Sequence, residues 1–167
     1  MTNRFFVAAV LTLQSIFTPE IAVANRFNYD DTAPLLELAE KANALTKDLN
    51  DSHALVGGGG DYQQADCLYA FHASIDPIEQ YLEFVFVLVA LSSNMHDPMD
   101  ELVVNDTLAM NTSEAIQLVA EARKDALSQA AHCPQSALVN TYAQKAAALA
   151  DNATALLSTI KMKSARH

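Results

Sequence analysis

The chain has little glycine, little proline and little positive charge, and each shortage excludes a class of protein. Four glycines and five prolines in 167 residues exclude a collagen-like or low-complexity chain. Ten Lys and Arg stand against twenty Asp and Glu, so the formal net charge is −10. Nucleic acids and anionic membrane surfaces attract basic proteins, so we expect neither as a partner. A hydrophobic content of 51% argues against wholesale disorder, and the length suits a single domain.

Recurrent catalytic motifs are also missing. The sequence contains no C-x-x-C-H, E-x-x-H, H-E-x-x-H or G-x-S-x-G pattern, which removes the usual signatures of haem attachment, di-iron carboxylate sites, zinc hydrolases and serine hydrolases. No two of the five histidines lie three or four residues apart, the spacing that would place both on one helix face. We therefore expect a protein that is not an enzyme and needs no cofactor.

The first 24 residues have the pattern of a signal peptide. Arg4 precedes the apolar stretch Phe5–Leu13, and the small-residue pattern Ala22-Val23-Ala24 follows. This arrangement predicts cleavage before Asn25 and export, to the periplasm in a bacterium or by secretion otherwise. Residues 25–167 would then form one mature domain.

A second apolar stretch, Phe84–Leu91, is the other candidate for a membrane anchor. It is only eight residues long, whereas a spanning helix needs roughly 20. We therefore expect no transmembrane anchor in the mature chain. An uninterrupted apolar run inside a helix predicts instead a segment that is buried on all sides.

Apolar residues recur every three or four positions along the mature chain, which is the period of an amphipathic helix. Four such stripes occur: Leu35, Leu38, Ala42, Leu45 and Leu49; Cys67, Phe71, Ile75, Ile78, Leu82, Val85 and Val89; Val119, Ala122, Ala126, Ala130 and Cys133; and Leu138, Tyr142, Ala146, Leu149, Ala153, Leu156 and Ile160. The alternation typical of strands is almost absent. The pattern predicts an all-α protein, an antiparallel bundle of about four helices.

Helix boundaries are marked by a few residues. The glycines Gly57–Gly60 predict a flexible connector between the first two helices. Asp97-Pro98 predicts the start of the third helix, because Pro fits the first helical position. Cys133-Pro134 separates the third helix from the fourth.

Two places leave the helix count open. Pro77 falls inside the second helix, which either kinks there or splits in two. The run Val103–Thr107 contains poor helix formers, so the third helix begins either near Asp97-Pro98 or only near Asn111 or Thr112. The bundle therefore has four long helices or five to six shorter ones.

The mature chain has two cysteines, Cys67 and Cys133. An even number in an exported protein favours a disulfide. Their midpoint is position 100, close to the predicted turn at Asp97-Pro98. Residues equidistant from a turn lie side by side in an antiparallel helix pair, so we expect one disulfide joining the second and third helices.

Three groups of residues are candidate functional sites. Met95, His96 and Met99 lie at the turn between the second and third helices, and thioethers with an imidazole suit copper. Glu79 and Glu83 share one helix face and could contribute to a partner-binding surface. Asn105, Asn111 and Asn152 each begin an Asn-x-Ser/Thr triplet, a glycosylation signal in a eukaryotic secretory pathway.

The function that these features favour is binding of a protein partner, as an inhibitor, immunity, adaptor or chaperone type of protein. A strongly acidic surface would steer a basic partner toward it. Two alternatives stay open: a metal-binding bundle that uses Met95, His96 and Met99, and a carrier of a small apolar ligand held between helices near Phe84–Leu91.

Overall fold

A computed structural model describes residues 27–95, 97–133 and 136–165. Within these ranges a short 3-10 turn at Tyr29–Asp31 is followed by four α-helices and no strand, which confirms the predicted all-α bundle. The helices are α1 Ala33–Gly58, α2 Tyr62–Asn94, α3 Pro98–His132 and α4 Ala137–Ser164. The predicted signal peptide, residues 1–24, lies outside the described residues.

Side-chain caps begin three of the helices. The Asp61 carboxylate accepts a hydrogen bond from the backbone N–H of Gln64 at 3.1 Å at the start of α2. Asp97 Oδ1 accepts one from the N–H of Met99 at 2.8 Å at the start of α3, and Ser136 Oγ caps α4. These acceptors satisfy N–H groups that have no partner inside the helix, so short polar residues set where each helix begins.

The glycine connector is shorter than predicted. Helix α1 continues through Gly57 and Gly58, and the backbone N–H of Gly59 still donates to the Leu55 carbonyl at 3.1 Å. Only Gly59, Gly60 and Asp61 remain between α1 and α2. The prediction of a four-residue flexible linker was wrong because glycine, although a poor helix former, is tolerated in the last turn of a helix.

Helices α2 and α3 also continue through the two segments where the sequence left their continuity open. Helix α2 runs through Pro77 without a split, and α3 includes Val103–Thr107. Proline cannot donate to the Ala73 carbonyl, but both residues line an open surface groove and not the core. Four long helices are therefore present among the described residues, because packing against neighbouring helices outweighs local propensity.

Contacts between the helices show an antiparallel bundle. Cys67 and Cys133 form the predicted disulfide, with their Cα atoms 6.0 Å apart, near the start of α2 and just after the end of α3. At the opposite end of the same helix pair Ser92 meets Asn105. By the chain-entropy estimate for a loop of this length, such a link stabilises the fold by about 4 kcal/mol.

Helices adjacent in the chain are adjacent in space, and α4 closes the bundle against α1. Lys163 bonds Asp31 at one end of that seam, and Tyr142 meets Ser52 at the other. Helices α2 and α4 also touch across the bundle, whereas α1 and α3 do not within the described ranges. The cross-section is therefore a rhombus with α2 and α4 on its short diagonal.

The core is built from the predicted stripes, with a small change of phase in α4. Most stripe residues are buried, but Val139 and Leu157 take the buried positions beside Leu138 and Leu156, which are only partly buried. A stripe chosen with an average spacing of 3.5 residues drifts around a helix of 3.6 residues per turn, so the inward position moves by one residue toward the helix ends.

The apolar run Phe84–Leu91 is not buried on all sides. Val85, Leu88 and Val89 lie in the core, whereas Phe84, Val87 and Leu91 are exposed. The prediction of complete burial was wrong because the neighbouring helices cover only part of the circumference of α2. Among the described helices none is both apolar enough and long enough to cross a membrane.

Candidate partner-binding surface

The three residues predicted to bind copper are described only in part by the structure. Met95 follows the last residue of α2, and Met99 lies in the first turn of α3 with its side chain 68% exposed. His96 lies outside the described residues. No cluster of three His, Cys, Asp or Glu residues suited to a metal ion occurs in the part of the chain that the structure describes. Copper binding stays a prediction from the sequence.

Glu79 and Glu83 both border a groove between α1 and α2, but they differ in their surroundings. Glu79 Oε1 accepts a hydrogen bond from Asn43 Nδ2 at 2.9 Å, so it helps to hold α2 against α1. Glu83 is exposed and lies one turn before Val87 on α2. Of the two predicted partner-binding residues, Glu83 is therefore the one placed beside exposed apolar surface.

Three apolar side chains on α2 form a line on the outside of the bundle. Phe84, Val87 and Leu91 are 45%, 50% and 45% exposed, and their spacing of three and four residues keeps them on one face. Phe84 and Leu91 follow Pro77 by 7 and 14 residues, close to two and four whole turns. Pro77 lines the outer groove between α2 and α3, so Phe84 and Leu91 point to that side of the helix pair. Val87 lies next to them and also borders the groove between α2 and α1.

Helix α3 contributes two more exposed apolar side chains to this side. Val103 and Met110 are 62% and 69% exposed. They precede Glu121 by 18 and 11 residues, which correspond to five and three whole turns. Glu121 lines the same outer groove from α3, so Val103 and Met110 face the same way as the exposed residues of α2. We call the five residues Phe84, Val87, Leu91, Val103 and Met110 the apolar strip.

A buried polar contact fixes the register of the two helices beneath the apolar strip. Ser92 Oγ donates to Asn105 Oδ1 at 2.9 Å, and Asn105 Nδ2 donates to Glu101 Oε1 at 3.4 Å. All three residues are buried. Sliding α3 along α2 would separate these groups inside the core, where unpaired polar atoms are costly. The two halves of the strip are therefore held in one alignment.

Acidic and basic residues are unevenly distributed along the chain, and the stretch without basic residues includes the apolar strip. No Lys or Arg occurs between Lys47 and Arg123, a stretch that includes all of α2 and the first two thirds of α3. The same stretch contains thirteen carboxylates: Asp48, Asp51, Asp61, Asp66, Asp76, Glu79, Glu83, Asp97, Asp100, Glu101, Asp106, Glu114 and Glu121. Asp106 and Glu114 are exposed beside Met110, and neither takes part in an ion pair within the described ranges.

Several basic side chains outside this stretch form ion pairs. Lys145 of α4 pairs with Asp48 of α1 at 3.6 Å, and Lys163 of α4 pairs at 2.5 Å with Asp31, in the turn before α1. Lys41 hydrogen-bonds Glu37 at 2.7 Å, and this bond holds the pKa of the Glu37 carboxyl below its ordinary value of 4.5. The molecule therefore presents an acidic, partly apolar side on α2 and the first two thirds of α3, and a mixed-charge side on α1 and α4.

The apolar strip was missed at the sequence level for an identifiable reason. Eight consecutive apolar residues carry no period, so nothing in Phe84–Leu91 itself distinguishes inward from outward positions. The absence of Lys and Arg between Lys47 and Arg123 was visible in the sequence and marks the same side of the protein. It could have directed attention to α2 and α3.

Comparisons with known proteins add no relative from which a role could be carried over. No protein-family model matches the chain. Searches of curated proteins and of solved structures also found no match.

Proposed function

We propose that this protein is exported and acts by binding another protein through the apolar strip, as an inhibitor, immunity, adaptor or chaperone type of protein. The observation that carries the proposal is the exposure of five apolar side chains on one side of the α2–α3 pair. Exposed apolar side chains grouped on one side mark interaction sites far more often than scattered exposed residues do.

Export is supported by two independent features. The disulfide Cys67–Cys133 belongs to a type of bond that persists in oxidising compartments and is rare in the cytosol. The N-terminal pattern from Arg4 to Ala24 is that of a cleaved signal peptide. Both features fit a periplasmic or secreted protein.

The test compares capture of partners by the wild type, by Val87→Glu/Leu91→Glu and by Leu55→Glu. Leu55 is 77% exposed and lies near the α1–α2 turn, at the other end of the bundle, so it controls for the loss of an exposed apolar side chain. Each protein would be immobilised and exposed to the exported fraction of its own cells, and the captured proteins would be quantified by mass spectrometry.

We expect a partner that the wild type and Leu55→Glu both retain and that falls at least tenfold with the double variant. Partially exposed positions tolerate Glu at a cost of about 1 kcal/mol, and thermal melts followed by circular dichroism would verify that the variant remains folded. Recovery of the same proteins in equal amounts by all three baits would contradict the proposal.

A further inference from the structure

We infer that the partner segment recognised by the apolar strip is a basic amphipathic helix that lies along the outer groove between α2 and α3. The inference rests on the proposed function and adds the chemistry of the occupant. Two observations carry it, the shape of this side of the bundle and the distribution of charge around it.

The shape suits a helix. Two antiparallel helices packed side by side leave a shallow groove on their outer side, and an amphipathic helix can lay its apolar face into such a groove. The ends of Phe84–Leu91 and of Val103–Met110 are each seven positions apart, or about 10 Å along the helix axis. The occupant would therefore contact the strip over about two turns, with apolar side chains spaced by three or four residues.

The carboxylates around the apolar strip favour an amphipathic helix that carries basic residues. Asp106 lies one turn from both Val103 and Met110, and Glu114 lies one turn beyond Met110, so carboxylates border the strip on α3. Glu83 borders it on α2. Lys47 lines the same α1–α2 groove as Glu83, but no Lys or Arg between positions 48 and 122 balances Asp106 and Glu114. Lysine and arginine on the flanks of the occupant would supply that balance and speed its association.

The same charges argue against a second copy of this chain as the occupant. Two strips placed face to face would bring the carboxylates that border one strip close to those that border the other. Like charges juxtaposed at an interface are unfavourable. Concentration-dependent dimerisation in light scattering, abolished by Val87→Glu/Leu91→Glu, would overturn the inference and assign the strip to self-association.

The probe for the test is a synthetic 18-residue helix with leucines on one face and lysines on both flanks. A matched peptide carries glutamate in place of every lysine. Binding to the purified full-length exported form would be measured by isothermal titration calorimetry in about 50 mM salt. We expect binding of the lysine peptide that weakens as salt is raised, and at least tenfold weaker binding of the glutamate peptide.

Two charge variants make the test specific to the strip. Asp106→Asn/Glu114→Gln should weaken binding of the lysine peptide about fivefold in low salt, because each exposed pair contributes modestly, and should reduce the salt dependence. Asp51→Asn/Asp66→Asn removes the same charge from exposed positions at the other end of the bundle and should leave binding within twofold. The apolar variant Val87→Glu/Leu91→Glu should abolish it.

Equal binding of the two peptides, or equal weakening by the two charge variants, would overturn the inference. Its failure differs from failure of the proposed function. A partner that depends on Val87 and Leu91 but not on Asp106 and Glu114 would leave the proposed function standing and remove only the basic helix. Capture that is indifferent to Val87 and Leu91 would remove both.

Discussion

The fold assigns Asn105 a role that differs from the one its sequence motif indicates. Its Asn-x-Thr triplet resembles a glycosylation signal, yet the side chain is only 1% exposed and its amide is bonded to Ser92 and Glu101. The folded protein has no space for a glycan on an amide enclosed between two packed helices. Asn152, by contrast, is exposed on α4. In the folded protein Asn105 serves the alignment of α2 and α3.

Replacing Asn105 with alanine should therefore destabilise the protein, whereas Asn152→Ala should not. Asn105→Ala removes the acceptor of the Ser92 hydroxyl inside the core, which costs about 2 kcal/mol. Asn152→Ala should change the free energy of unfolding by at most about 0.5 kcal/mol, because Asn152 occupies an exposed helix position. Urea denaturation followed by circular dichroism measures both. Equal stability of the two variants would show that the buried contact contributes nothing to the fold.

At the scale of the elements, the sequence predicts what depends on local chemistry and misses what depends on neighbours. Asp97-Pro98 and the pair Cys67–Cys133 were found correctly, because capping and disulfide geometry follow from residue types and spacing. The helical state of Val103–Thr107 could not be decided, since it depends on packing of α3 against α2. The outward face of Phe84–Leu91 was missed for the same reason, and with it most of the candidate site.

The two glycines beside the α1–α2 turn provide a matched test of backbone effects. Gly58 is helical, and a Cβ placed there meets no atom within 4 Å, whereas Gly60 has φ +89°. Gly58→Ala should stabilise the protein by about 0.5 kcal/mol through helix propensity and a less flexible unfolded chain. Gly60→Ala should destabilise it by about 1 kcal/mol, because φ is positive there. Thermal melts of both variants would show opposite shifts, and shifts of the same sign would contradict this view of the turn.

On the scale of the whole molecule, the bundle is two extensively packed hairpins, α1–α2 and α3–α4, joined by two different seams. The α2–α3 seam holds the disulfide and the buried Ser92–Asn105 contact. The α1–α4 seam is narrower and depends on polar contacts at its ends. There the Tyr142 hydroxyl donates to the Asp48 carbonyl at 3.1 Å and accepts from Ser52 at 2.8 Å. We therefore expect α1 and α4 to separate before α2 and α3.

Tyr142→Phe tests this difference between the seams, because it removes one oxygen and leaves the ring. The loss of both hydrogen bonds should lower the free energy of unfolding by about 1 kcal/mol. Hydrogen exchange measured by mass spectrometry should accelerate in residues 45–58 of α1 and in the first turns of α4, since local opening follows the weakest packing. The disulfide-linked α2–α3 pair should change little. Tyr62→Phe, at a side chain 71% exposed, is the control and should alter neither stability nor exchange. Acceleration spread evenly over all four helices would mean that the bundle opens only as a single unit, and that the α1–α4 seam is no weaker than the rest.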